Sequence, residues 1–299
     1  MAALRAKRKK KKGSGGRFLL FLFAAALLTA CFLLFRPHPS GRPPAQAPGP
    51  AGEGQKRPGP DRAREPGPTA TPPLVPAAKT GKPLLAIIVD DMGYRQDTGR
   101  ALIALDLPLS FAFLPFAPHN PELLAEASAQ KREILLHQPM ESASPGQDPG
   151  PGALYTGMNA TAIRRTLLRN IQAVPGAIGL NNHMGSGFTA NPAAMRHLLT
   201  ALRGLDLFFV DSLTSPKSAA YELAGQLGIR AGRRDVFLDN EQLPEKIAAQ
   251  LETLIALAHQ RGQAVGICHS QPATLTALRR HRARLLAQTE MVGISRLLR

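Results

Sequence analysis

The sequence predicts an α/β domain over residues 81–299, built as a (β/α) barrel of about seven strands and preceded by a transmembrane helix and a disordered linker. From Leu84 onward, short apolar runs alternate with longer stretches of helical period, the pattern of repeated β–α–β units. That alternation suits a closed barrel or an open doubly wound sheet. No Gly-x-Gly-x-x-Gly follows the first run and no P-loop occurs anywhere, which disfavours a nucleotide-cradling sheet. Polar, chemistry-bearing residues recur where the apolar runs end, and in a barrel all those ends share one rim.

The segments ahead of the domain divide by charge. The net charge is +16, and residues 1–17 hold eight basic residues and no acid. Residues 18–35 carry no charge at all. At ~1.5 Å per residue such a run spans about 27 Å, close to the hydrocarbon core of a bilayer. The basic cluster stays on the cytoplasmic side, so the chain beyond Arg36 faces the periplasm of a bacterium, held to the inner membrane by a single pass. The alternatives are a cleaved signal peptide, which makes the domain periplasmic or secreted, and a lipoprotein signal ending at Cys31. Residues 36–80 contain 13 of the 27 prolines and few large apolar residues, so they form an extended tether. The remaining 219 residues hold 22 basic and 18 acidic side chains, an ordinary balance, and aromatics are scarce. A nucleic-acid partner is excluded on that basis. Cys268 is the one thiol beyond the apolar segment, so no intrachain disulfide supports the domain.

Expected strands cover 84–90, 109–114, 133–137, 177–181, 207–211, 236–239 and 264–269, with a last strand near 291–294. Helix starts read from Asn120-Pro121, Asn159 to Thr161, Asn191-Pro192, Ser215-Pro216 and Pro244, and a further helix covers 273–288. Arg164, Leu167, Leu168 and Ile171 form one helical stripe, and Leu251, Leu254, Ile255 and Leu257 another.

The strand ends carry Asp90-Asp91, His137, Asn182-His183, Asp211-Ser212, Asp239-Asn240 and His269-Ser270. Adjacent residues at a strand end point in different directions, so of Asp90 and Asp91 one can bind a metal while the other takes a proton. Two histidines and an aspartate with an open position suit Zn²⁺ or another divalent metal and hydrolysis by an activated water. His269 is placed either as a general acid or as rim filling. Asn181, Asn182 and Ser186 are set to hydrogen-bond substrate or to steady the ligands, and Asp211 and Ser212 line the rim.

Five ordered blocks carry a family resemblance. Ile87-Ile88-Val89-Asp90-Asp91-Met92-Gly93, Leu136-His137-Gln138-Pro139-Met140-Glu141, Asn181-Asn182-His183-Met184-Gly185-Ser186, Phe209-Val210-Asp211-Ser212 and Gly266-Ile267-Cys268-His269 resemble the divergent polysaccharide deacetylases. The resemblance implies a NodB-like, distorted (β/α) barrel and metal-dependent removal of acetyl groups from amino sugars of an envelope polysaccharide such as peptidoglycan. It assigns Asp90 as base and Asp91 as metal ligand. Typical polysaccharide deacetylases draw two metal histidines from one His-x-x-x-His segment, and none exists here, so His137 and His183 supply them from separate strands. The expected activity is therefore that of a membrane-tethered Zn²⁺ carbohydrate deacetylase, with His269 as acid. The competing expectation is a deacetylase-fold protein that binds glycan or an envelope partner without catalysis, and a third is hydrolysis of another ester or amide.

Overall fold

The computed structural model describes residues 81–298. The basic head at 1–17, the expected membrane segment at 18–35 and the tether at 36–80 lie outside the described residues. Among the described residues no helix is long and apolar enough to cross a membrane.

The described chain is a parallel-strand, curled half-barrel covered by helices. In chain order it runs β1 (Leu84–Met92), α1 (Gln96–Ile103), β2 (Ser110–Phe113), α2 (Asn120–Ala129), β3 (Glu133–Met140), α3 (Ala160–Ala173), β4 (Ala177–Met184), α4 (Pro192–Arg203) and β5 (Phe208–Asp211). It continues with α5 (Ala220–Gln226), β6 (Ala231–Arg233), β7 (Val236–Phe237), α6 (Pro244–Arg261), β8 (Gln263–His269), α7 (Pro272–Gln288) and β9 (Glu290–Met291), and ends in a 3₁₀ turn at Ile294–Leu297. The strand order is β6-β5-β4-β3-β2-β1-β8-β7, with β9 beside β1. β6 and β7 sit at opposite ends of that order, yet only residues 234 and 235 join them. Two residues reach about 10 Å at full extension, so the sheet curls until its edges nearly meet. The joining residues grip both edges: Arg234 N donates to Asp211 O at 3.0 Å, while Asp235 N donates to Val265 O at 2.9 Å.

Alternation along the strands sorts their side chains into two layers. Leu85, Ile87 and Val89 face the helices, whereas Ala86, Ile88, Ala112, Leu135, Phe208, Val210, Val265 and Ile267 pack inside the barrel with Val292, Ile294 and Leu297 from the C-terminal turn. The chain's last turn thus fills the floor. The same inward parity continues upward along each strand to Asp90, His137, Asn181, Ser212 and His269, which is why residues spread over the whole domain meet at one rim.

Several expectations need correction. All seven expected runs are strands, but the sheet has nine, because the three-residue β6 was too short to show an apolar run and the last strand is 290–291. The barrel is also unzipped between β6 and β7. A helix at 96–103 was not anticipated, and the helix expected from Ser215-Pro216 begins at Ala220 because Ser218 is drawn to Asp211 instead (Oγ to Oδ2, 2.7 Å). In α3 the buried stripe is Ile163, Leu167 and Asn170, with Arg164 exposed. Asn170 reads as polar but is fully buried, because its amide donates to Gln138 Oε1 at 2.9 Å and Gly152 O at 2.7 Å. Asn159 and Asn191 cap α3 and α4 as expected, Asn159 accepting from the backbone N–H of Ala162 and Asn191 from those of Ala193 and Ala194.

Candidate functional site

The rim begins with an irregularity in β1. Its pairing with β2 shifts between Val89 and Met92, so three steps on β1 match two on β2, and Asp91 takes φ 55°. Strict alternation would send Asp91 out toward the helices; the bulge turns it inward beside Asp90. The expectation that the two carboxylates diverge is corrected accordingly: both lie within 4 Å of the same imidazole nitrogen, at 3.7 Å for Asp90 Oδ2 and 3.3 Å for Asp91 Oδ1 from His137 Nε2.

His137 and His183, from the adjacent strands β3 and β4, complete the cluster. His183 Nδ1 is 3.0 Å from Asp91 Oδ1 and 3.2 Å from His137 Nε2. His137 Nδ1 lies 2.8 Å from Asn181 Oδ1, an acceptor, so Nδ1 carries a proton and Nε2 is the nitrogen turned toward the carboxylates. Asp91 Oδ1 is buried without a hydrogen bond of proper geometry. One carboxylate oxygen and two imidazole nitrogens of this arrangement together could hold a metal ion. Access comes from the Asp91 and His183 side, whose side chains are 32% and 22% exposed, while His137 is buried.

Asp90 is buried, and Asn181 Nδ2 donates to its Oδ1 at 2.8 Å. Burial pushes its pKa up, opposed by His137, His269 and the Asn181 bond. Asp91 is the reverse: burial is outweighed by His137 and His183, which hold its carboxyl well below the ordinary range. For His137, burial disfavours the charge but Asp90 and Asp91 outweigh it and raise the pKa. His269 faces the cluster, with Nε2 3.9 Å from Asp91 Oδ2. Burial opposes its charge, yet Asp239, 3.0 Å from Nδ1, and the two rim carboxylates push it up to about 9. Asp239 is itself fixed by His269 N at 2.7 Å and Thr274 Oγ1 at 2.8 Å.

The remaining expected residues build the loops around the cluster. Asn182 donates to Met184 O at 2.8 Å and accepts from Ser212 N at 2.9 Å, fixing the turn after His183. Ser186 Oγ accepts from Ala143 N at 2.9 Å, tying that turn to the loop after β3. Both Asp211 oxygens are engaged, by Leu213 N and Ser218 Oγ. Ser212 Oγ accepts from Asn181 at 3.2 Å. Three rim residues had no assigned role from sequence. Asp239 was visible as a strand-end acid, but its pairing with His269 is a tertiary fact. Arg234 holds the carbonyls of Ser212 and Leu213 at 2.7 and 2.9 Å, and Ser270 Oγ donates to Asp91 O at 3.0 Å. Ser270 was likewise visible only as a polar strand end, and the polarity of Arg234 alone carried no signal.

A family model described as divergent polysaccharide deacetylase matches residues 87–298, spanning every rim residue named above. The chain belongs to the divergent polysaccharide deacetylase family. An uncharacterized protein of Haemophilus influenzae is 36% identical over 215 residues, covering 72% of this chain and 76% of that protein. The uncharacterized protein YibQ of Escherichia coli K12 is 35% identical over 214 residues, 72% of this chain and 67% of its own. Among solved structures, an uncharacterized protein of Agrobacterium tumefaciens superimposes with a TM-score of 0.69 at 27% identity, over 75% of this chain and 92% of that one. The two chains therefore share the curled half-barrel on which the Asp–His cluster is built here.

Proposed function

We propose that the chain is a membrane-tethered, metal-dependent hydrolase that removes acetyl groups from amino sugars of an envelope glycan such as peptidoglycan. The observation that carries this reading is the buried Asp91 Oδ1, without a hydrogen bond and facing the nitrogens of His137 and His183. An orphaned buried carboxylate oxygen is costly unless something else satisfies it, and a nitrogen–nitrogen–oxygen donor set fits a divalent cation such as Zn²⁺. Such a cation supplies positive charge that polarises an acyl carbonyl and acidifies water.

The chain's own groups do the proton work. Asp90, with its pKa raised by burial and its carboxylate steadied by Asn181, accepts the proton of the attacking water. His269, kept protonated at neutral pH by Asp239, donates to the amine nitrogen as the carbon–nitrogen bond breaks and acetate departs. A carboxylate and a protonated imidazole facing the same cluster match a base and an acid acting at one pH. Asn182, Ser186, Asp211 and Ser212 shape the loops that face the glycan. The apolar segment 18–35 anchors the chain in the inner membrane or directs its export, and the tether carries the domain toward its polymer.

Acetate release from N-acetylated glycan fragments, measured for zinc-loaded wild type and Asp90→Asn, tests the reading. Release by wild type and a loss of about 100-fold or more in the variant support it. Glycan binding with no acetate from wild type identifies a binding protein on a deacetylase fold instead.

A further inference from the structure

Aromatic side chains are few in this chain, and seven of the ten Phe and Tyr among the described residues are buried or half-buried. The exceptions are Tyr94 at 50%, Phe116 at 45% and Tyr155 at 41% exposure. They occupy three successive loops at the same rim, those following β1, β2 and β3, and of these strands β1 carries Asp91 and β3 carries His137. Their loops are set against one another. His119 N donates to Gly93 O at 2.9 Å, and a Cβ on Gly93 would fall 2.5 Å from that of Ala117, so the Tyr94 and Phe116 loops interlock. The Arg169 guanidinium, on the helix that follows the Tyr155 loop, lies 5.4 Å over the Phe116 ring. Phe116 also has φ 63°, an unfavourable backbone for a bulky residue, so the fold spends strain on an apolar ring that it leaves in water.

We propose that Tyr94, Phe116 and Tyr155 form a row of stacking platforms for successive sugar units, so that the site takes an extended glycan rather than a single amino sugar. This rests on the glycan reading of the metal centre and adds the substrate's length and the side of the rim along which it lies. A pyranose presents an apolar C–H face and a polar edge. An exposed ring fixed from behind takes that face while the hydroxyls stay hydrated. A polymer repeats the face at intervals, and three rings on adjoining loops match that repetition. The far side of the rim offers one exposed large apolar side chain, Leu243, which is aliphatic. A second copy of the chain fits these rings less well, because three separate side chains on polar loops fall far short of the roughly 800 Å² per partner of a stable interface.

The test is calorimetric titration of the zinc-loaded full chain with β-1,4-linked N-acetylglucosamine oligomers of one to six units. Wild-type affinity is expected to rise about ten-fold or more with length, and Tyr94→Ala, Phe116→Ala and Tyr155→Ala to lower hexamer affinity about five-fold each. The ring-keeping variants Tyr94→Phe, Phe116→Tyr and Tyr155→Phe are expected to retain it, which separates stacking from loss of fold. Affinity independent of length, absence of binding, or alanine variants that bind the hexamer as wild type does would overturn the proposal. The deacetylase reading fails separately, when the hexamer binds with the expected length dependence and no acetate is released.

Discussion

At the floor of the barrel Glu133 enters from the first residue of β3; at the rim Asp91 enters from the end of β1. Both are carboxylates turned into the same interior, and their surroundings differ. Glu133 accepts from Ser110 Oγ at 2.8 Å, from Ser295 N at 3.3 Å and from Ser295 Oγ. The same Ser110 Oγ accepts from Ile294 N at 3.0 Å, and Gly293 has no side chain where a Cβ would lie 2.3 Å from the Glu133 carboxyl carbon. Every part of that network locks the C-terminal turn beneath the sheet. Asp91 Oδ1 is surrounded by nitrogens and hydrogen-bonded to none of them. Polarity inside a barrel is therefore no mark of function by itself: the satisfied carboxylate is a fastening, and the unsatisfied one, between two imidazoles, is where a cation could be held.

Substitutions at the two ends should separate these roles. The largest effect is expected for Asp91→Ala, which should lower zinc affinity by more than about 100-fold and also cost the metal-free protein some stability at neutral pH, because His137 and His183 lose the carboxylate they hold ionised. Zinc titration and urea unfolding check the two halves. Glu133→Ala should behave differently, costing about 2–4 kcal/mol in urea unfolding because Ser110 and Ser295 lose their acceptor, with zinc affinity unchanged; a loss of zinc binding there would break the distinction.

The next effect concerns pH. His269 has a folded pKa of about 9, above the ordinary histidine value of about 6.5. The folded state therefore binds the proton more tightly than the unfolded chain. That contribution is fully present below pH ~6.5 and is lost as pH rises through about 9, amounting to roughly 2–3 kcal/mol. Unfolding of metal-stripped protein between those pH values should show the decline, and Asp239→Asn should flatten it. The smallest effect belongs to Asn181→Ala, which leaves the ligands in place but frees the His137 ring, and should lower zinc affinity about 10- to 100-fold. A loss as large as that of Asp91→Ala would make Asn181 more than a positioning residue.

Much of this was legible in the sequence because it depends on local pattern. The strand runs are apolar and end in Asp90, His137, His183 and His269, and inward parity alone carries these four to one rim. What stayed hidden depends on pairing between distant segments. The bulge that turns Asp91 inward exists only against β2. Asn170 is buried because Gln138 and Gly152 receive its amide, which no helical stripe announces. Helix α1 has no side-chain cap and contains Gly99, whose missing side chain suits close packing on Leu123 but lowers local helix propensity. β6 is three residues, Ala-Gly-Arg, recognisable only once the sheet has curled round to need an edge.

The most direct test is an anomalous-diffraction experiment on crystals grown with zinc. The account predicts one strong peak touching Asp91, His137 and His183, absent from Asp91→Ala crystals. A peak bound elsewhere, or none at this rim at saturating zinc, would contradict it.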